Sequence, residues 1–255
     1  WSIWPVTADA GSALRHSTAV GFCREGRADV DLHWGFSTPL MRFDLEASGM
    51  WPRARRVTVA GTVVATLGAE DTLLHLCLHG AKHDWVLWQS LADVARLLYV
   101  ERDLDFPLLT RLARRTGTQR LLRVGLMLAA QEAAAPVPAG VAAWARSDPT
   151  ACAIAGESRA ALAGGASASQ SIAHRLRRTL RMREQPRDKM HALLGAVARA
   201  SEPRAGETWP LWTWPIRRPL RLARDLLADD RPAVGGAQEA AHASRNTPQA
   251  ASTDP

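Results

Sequence analysis

The clearest alternation of polar and apolar residues in the sequence is the stretch Ala28-Asp29-Val30-Asp31-Leu32-His33-Trp34. A period of two predicts a β-strand, with the apolar residues on one face and Asp29, Asp31 and His33 on the other. The preceding segment, residues 18–23, predicts a partner strand, because a glycine-containing turn joins the two. We therefore expect an antiparallel hairpin over residues 18–34.

Strand patterns occur once more downstream and then stop. Residues 56–67 predict a second hairpin, with Gly61 in its turn. Beyond it, apolar residues recur at spacings of three and four, which is typical of helices with one buried face. The predicted helices begin near Ala69 and continue over residues 89–99, 106–115, 118–133, 142–162, 167–182 and 189–200. The chain therefore predicts an α+β fold: strands over 1–67, a helical region over 68–227 and a disordered tail over 228–255.

The composition fits a globular protein with a basic surface. The 255 residues are 47% hydrophobic and 22% charged, with a net charge of +7 carried mainly by arginine. That excess favours an anionic partner such as a nucleotide, nucleic acid or acidic membrane face, although a GC-rich genome produces the same bias without a ligand. The three cysteines are far apart and no apolar run is long enough for a membrane span, so we expect a cytoplasmic protein.

The polar face of the first hairpin is a candidate metal site. Asp29, Asp31 and His33 would place two carboxylates and an imidazole together, an arrangement that suits a sheet edge binding a cation. Mg²⁺ commonly uses one or two carboxylates together with phosphate oxygens. The alternative is a sheet face that is simply open to water, as in many antiparallel hairpins.

A histidine series follows on the first predicted helix. His75, His79 and His83 recur every fourth residue and so lie along one helix stripe. A zinc site is a weak alternative, because three ligands from one straight helix enclose a metal poorly. We expect instead that Lys82 acts as a point charge for phosphate in a polar cleft, beside the histidines. A solvated polar stripe with one satisfied core histidine is the remaining alternative.

These segments together resemble an uncharacterised nucleotidyltransferase family of bacteria. The resemblance rests on Val30-Asp31-Leu32-His33-Trp34, His79-Gly80-Ala81-Lys82-His83-Asp84-Trp85 and Leu91-Ala92-Asp93-Val94-Ala95, and it extends more weakly over residues 15–227. It implies a partial nucleotidyltransferase-like mixed β-sheet followed by a mostly helical region.

The resemblance also implies a chemistry. Members of this fold hold Mg²⁺ with three carboxylates and transfer a nucleotidyl group from an NTP, here expected to be ATP, to an acceptor, which is unknown for this chain. Asp31 matches the third carboxylate, with Asp29 beside it at the metal, and His33 matches a shared position without an assigned role. His79, Lys82 and His83 would border the nucleotide or the acceptor.

The sequence departs from the family pattern upstream of Asp31. No strand there carries two spaced acidic residues, and Gly11-Ser12 is a poor substitute for the family's Gly-Ser turn. We therefore expect an incomplete site, in an N-terminally truncated or inactive relative. One alternative function is a non-catalytic binding or scaffold relative in a biosynthetic gene cluster. Another is a metal hydrolase built on the histidine series.

Two basic segments complete the sequence. The arginine-rich stretch over residues 175–183 predicts a solvated helix on the exterior, with nucleic-acid binding as the weaker alternative. The stretch over residues 209–227 combines tryptophan, leucine and arginine, which is compatible with peripheral contact at an anionic membrane. Packing of its apolar side chains back onto the helical region is the favoured alternative.

Overall fold

The computed structural model describes residues 2–4, 19–24, 30–36, 43, 49–164, 172–199, 220 and 223–224. Its first sheet is antiparallel, in the order β1-β2-β3, with β1 at Ser2–Trp4, β2 at Ala19–Cys23 and β3 at Val30–His33. Gly21 lies opposite Asp31, and Ala19 lies opposite His33. This register confirms the hairpin predicted for residues 18–34.

The second predicted hairpin is also confirmed, with β4 at Arg55–Val59 and β5 at Thr62–Thr66. Ala60 and Gly61 both have positive φ, 47° and 79°, as a tight two-residue hairpin turn requires. Where a mixed sheet was expected, every pair among the described strands is antiparallel. Each described strand pairs with a described strand next to it along the chain, and the two run in opposite directions.

Helices occupy most of the rest of the described chain, which confirms the α+β class. They are α1 (Ala69–Lys82), α2 (Trp88–Val100), α3 (Phe106–Thr116), α4 (Gln119–Glu132), α5 (Ala139–Arg146), α6 (Pro149–Ala163), α7 (Ile172–Met182) and α8 (Pro186–Arg199). None of these described helices is long and apolar enough to cross a membrane. Asp29, most of the 209–227 segment and the 228–255 tail lie outside the described residues.

The single helix predicted over residues 142–162 is wrong, because α5 and α6 are separate. The Asp148 side chain accepts hydrogen bonds from the backbone N–H groups of Thr150 (2.8 Å) and Ala151 (3.1 Å), which makes it the N-cap of α6. Pro149 takes the first helical position, where its missing N–H costs nothing. The Asp-Pro pair therefore starts a new helix.

The core is built around α4. Leu121, Leu122, Leu126 and Leu128 on this helix are fully buried, and α1, α2, α3, α5 and α6 all contact it. The side chains of these helices form one continuous apolar cluster. This packing fixes α1, which carries the histidine series, against the centre of the helical region.

The arginine-rich helix α7 is not a solvated exterior, so that prediction is wrong for two of its residues. Arg178 is buried in an ion pair with Asp84, and Arg183, just beyond the helix, is buried with its guanidinium 3.6 Å from the centre of the Phe43 ring. Arg181 remains partly exposed and pairs with Glu157. Composition alone cannot distinguish these cases, since the partners lie far away in sequence.

Candidate functional site

The end of α1 is closed by a Schellman-type turn inside the His79–Trp85 segment. The N–H of Trp85 donates to the carbonyl of Gly80 at 2.8 Å, and the N–H of Asp84 donates to the carbonyl of Ala81 at 3.1 Å. Asp84 and Trp85 both take the left-handed conformation, with φ of 54° and 60°. Side chains other than glycine adopt this conformation at a cost, and such residues cluster at functional sites.

Trp85 explains why glycine stands at position 80. The indole is fully buried, and a Cβ added to Gly80 would lie 2.4 Å from one of its ring carbons. On another side, a Cβ added to Gly125 of α4 would lie 3.1 Å from the same ring. Part of the segment therefore serves to close the helix and fill the core beneath it.

The histidine series forms one continuous stripe, as its spacing predicted. The rings of His75 and His79 lie 6.4 Å apart between centroids, and those of His79 and His83 lie 4.8 Å apart. Phe36, just after β3, makes an edge-on contact with His75 at 5.1 Å. The segment just after β3 therefore contacts the stripe on α1.

The pKa of His75 depends on charged groups from both β3 and α1. Burial, together with the nearby charges of His79 and His33, lowers the pKa of His75 from 6.5 to about 4. The His33 imidazole on β3 is thus close enough to interact with α1. The Nδ1 atom of His75 is buried and has no hydrogen-bond partner among the described residues.

Asp31 and His33 lie on the same face of β3, and both are exposed. Two residues along a strand are about 7 Å apart, so the carboxylate lies one step from the imidazole that approaches α1. Within the described part of the chain, the Asp31 side chain makes no ion pair or hydrogen bond. Its carboxylate is therefore available to a ligand on this face.

Lys82 lies on the same side of α1 as His75 and His79, since seven residues bring a helix back to nearly the same angle. It is exposed, and no residue of the described ranges pairs with it. It is also one of only two lysines in a chain with 30 arginines. An ammonium at this position, in a chain otherwise so rich in guanidinium, is compatible with a compact charge that meets a phosphate.

The other predicted ligand-binding histidines differ in their access to solvent. His79 is exposed, whereas His83 is buried, with 9% of its surface accessible. The ring of His83 packs beside that of His79. No three histidine, cysteine or acidic side chains of the described residues are grouped so that they could hold a metal ion. The donors that fit Mg²⁺ here are a single carboxylate, Asp31, together with phosphate oxygens that a nucleotide would bring.

The comparison with protein families identifies the group that these segments resemble. Residues 8–133 match the model of a family described as uncharacterised nucleotidyltransferase. The matching segment, just under half of the chain, is similar to this family. The match supports a general nucleotidyltransferase function and confirms the resemblance seen in the motifs. No curated protein and no solved structure matches the chain.

The family match ends after α4. Arg178, which contacts the His79–Trp85 motif, lies beyond that match, and so does Ser158, which contacts Arg178. Arg178 on α7 and Ser158 on α6 form a buried network with Asp84. Neither residue was predicted from the sequence to contact the site. The signal available was Asp84 itself, an acidic residue between apolar neighbours that needed a buried cationic partner.

Proposed function

We propose that the chain binds Mg²⁺·NTP, with ATP as the expected nucleotide, on the surface where β3 faces α1. In this proposal Asp31 binds the metal, while Lys82 and His79 contact the phosphates or border the acceptor. The reaction is transfer of a nucleotidyl group to an acceptor whose identity stays open. The expected location is the cytoplasm.

One observation carries the proposal: Phe36, which follows β3, packs its ring against His75 in the histidine stripe of α1. The Phe36–His75 ring contact and the electrostatic effect of His33 on His75 both support this approach. A metal-binding carboxylate and a phosphate-binding lysine must share one surface to act on the same nucleotide. The approach of β3 to α1 favours such an arrangement of Asp31 and Lys82.

Each side chain has a separate task in this site. Bound Mg²⁺ would neutralise the charge on the phosphates and favour attack at the α-phosphorus. The Lys82 ammonium would donate to a phosphate oxygen, and its position in the last turn of α1 also complements the negative end of the helix dipole. His79 is exposed beside it, where its imidazole could donate to a phosphate or accept a proton from the acceptor hydroxyl. His33 would lie between the two elements.

The site has one of the three carboxylates that the fold's chemistry uses, unless Asp29 adds a second. We therefore expect nucleotide binding to be a more robust property of this chain than rapid transfer. Electrostatic groups of this kind typically contribute about 3–4 kcal/mol each to transition-state stabilisation.

Thermal unfolding with Mg²⁺ and each of the four NTPs tests the binding. At a hundredfold excess over the dissociation constant, a ligand stabilises the folded state by about 2.7 kcal/mol. For a protein of this size, Tm should rise by roughly 5–10 °C. Asp31→Asn should remove the dependence on Mg²⁺, and Lys82→Met should weaken binding about 10- to 100-fold, as expected for a lost charged hydrogen bond.

The chain offers matched controls for both changes. Asp93→Asn removes an exposed carboxylate on α2, and Lys189→Met removes the other lysine, exposed on α8. Both should bind like the wild type. A wild-type Tm that no Mg²⁺·NTP raises would overturn the proposal, as would equal losses in the site and control variants. Binding without pyrophosphate release at any acceptor would indicate the non-catalytic relative instead.

A further inference from the structure

Arg178 on α7 contacts the closing turn of α1 from 94 residues away. Its Nε lies 2.5 Å from a carboxylate oxygen of Asp84, and its Nη2 donates to the Asp84 carbonyl at 3.3 Å. The same nitrogen donates to the Ser158 hydroxyl at 2.6 Å. Arg178 and Asp84 are 7% and 8% exposed, so this network is buried.

These contacts need a guanidinium. Its Nη2 donates to both the carbonyl and the hydroxyl, while its Nε lies at ion-pair distance from the carboxylate without a hydrogen bond of good geometry. The compact ammonium of a lysine would meet fewer of them. A buried pair of this kind is costly to break, because removing one partner leaves the other charge without compensation.

Arg178 contacts Asp84, whose backbone is strained. Asp84 has a φ of 54° and Trp85 follows with 60°, and conformations of this kind persist only where surrounding contacts hold them. Arg178 binds both the side chain and the carbonyl of Asp84. Lys82 is two residues upstream, at the last position of α1. If the turn loosened, the last residues of α1, Lys82 among them, would be the first to fray.

Helix α7 is attached to the core by other contacts as well. The Nη1 of Arg120 on α4 donates to the carbonyls of Arg181 at 2.6 Å and Arg183 at 3.1 Å. Arg181 pairs with Glu157 on α6. Loss of the Arg178 contacts should therefore release the turn without detaching α7.

We propose that Arg178 is a positioning residue for the nucleotide site, holding the closing turn of α1 so that Lys82 and His79 face the phosphates. The inference rests on the function proposed above. Arg178 and Ser158 lie beyond residues 8–133, the segment that matches the family. In this proposal the nucleotide site therefore needs α6 and α7 as well as the motifs upstream of them.

The test compares Arg178→Met and Arg178→Lys with Arg181→Met in the full chain. Hydrogen exchange reads the turn directly: the amides of Asp84 and Trp85 should exchange about tenfold faster or more in Arg178→Met. The dissociation constant for Mg²⁺·ATP should rise about tenfold, because one phosphate contact loses its geometry. Arg178→Lys should recover part of both. Arg181→Met, which breaks only an exposed pair, should change neither.

If Arg178→Met does not fold, Ser158→Ala provides a milder test of the same contact. It removes one hydrogen bond of Arg178 without leaving a buried charge, and smaller changes in the same directions are expected. Unchanged exchange at the turn in Arg178→Met would overturn the inference, as would unchanged nucleotide affinity with faster exchange. If the wild type binds no nucleotide, the proposed function fails and the positioning role fails with it. The exchange data then separately show whether Arg178 still holds the turn.

Discussion

Replacing Gly80 by alanine should destabilise the protein, although the same change usually stabilises a helix. The new Cβ would lie 2.4–2.6 Å from three carbons of the Trp85 six-membered ring, closer than real side chains approach. The ring cannot move away easily, because it is fully buried and lies close to Gly125 on another side. The strain therefore has to be taken up by the closing turn of α1.

The size of the effect follows from two opposing contributions. A glycine within a helix costs about 0.5–1 kcal/mol relative to alanine, so the substitution recovers that amount. Overpacking a filled core costs about 1–3 kcal/mol. With three ring carbons in conflict we expect the upper part of that range, and a net loss of about 1–2 kcal/mol. Tm should fall by roughly 2–8 °C.

Urea denaturation followed by circular dichroism measures this change, with Gly156→Ala as the matched control. Gly156 lies inside α6, and a Cβ added there meets nothing within 4 Å. That variant should gain about 0.5–1 kcal/mol. In a Trp85→Phe background, which removes most of the conflicting carbons, the cost of Gly80→Ala should shrink. Equal stabilisation by Gly80→Ala and Gly156→Ala would refute this account of the turn.

Two further predictions concern stability. Because the pKa of His75 is about 4 in the folded chain and 6.5 in its unperturbed state, the unfolded state binds more protons between these values and stability falls as pH drops from 6.5 to 4. The loss is about 3 kcal/mol. Urea midpoints across this range should fall less in His75→Leu than in His191→Leu, and equal slopes would contradict the assignment. Asp148→Ala should cost roughly 2–4 kcal/mol, because it removes the N-cap of α6 and the 2.8 Å ion pair with Arg120. A urea midpoint close to wild type would contradict that role.

Local patterns in the sequence predicted the elements well. The two hairpins follow from alternation and turn residues, and the helices follow from apolar spacing, because both signals are contained within a few neighbouring residues. The same holds for the histidine stripe on α1. The break between α5 and α6 was also readable, since an Asp-Pro pair is a common helix start, but the run of alanines obscured it.

Contacts between distant segments could not be predicted in this way. Nothing near Phe36 indicates that its ring meets His75, and nothing near Arg178 indicates that it is buried against Asp84. An arginine on a basic helix has the same local pattern whether it faces water or a buried carboxylate. The partners are decided by the packing of whole helices, which a single sequence does not reveal.

The position of the proposed nucleotide can be measured with Mn²⁺ in place of Mg²⁺, since a paramagnetic ion broadens the resonances of nearby nuclei. In histidine NMR spectra with Mn²⁺·ATP, a nucleotide bound between β3 and α1 should strongly broaden the His33 and His79 imidazole signals. The signal of His191, which is exposed on α8, should stay sharp. In Asp31→Asn the broadening of His33 should be lost. Equal effects on all three histidines, or sharp His33 and His79 signals at saturating nucleotide, would contradict a shared site on β3 and α1.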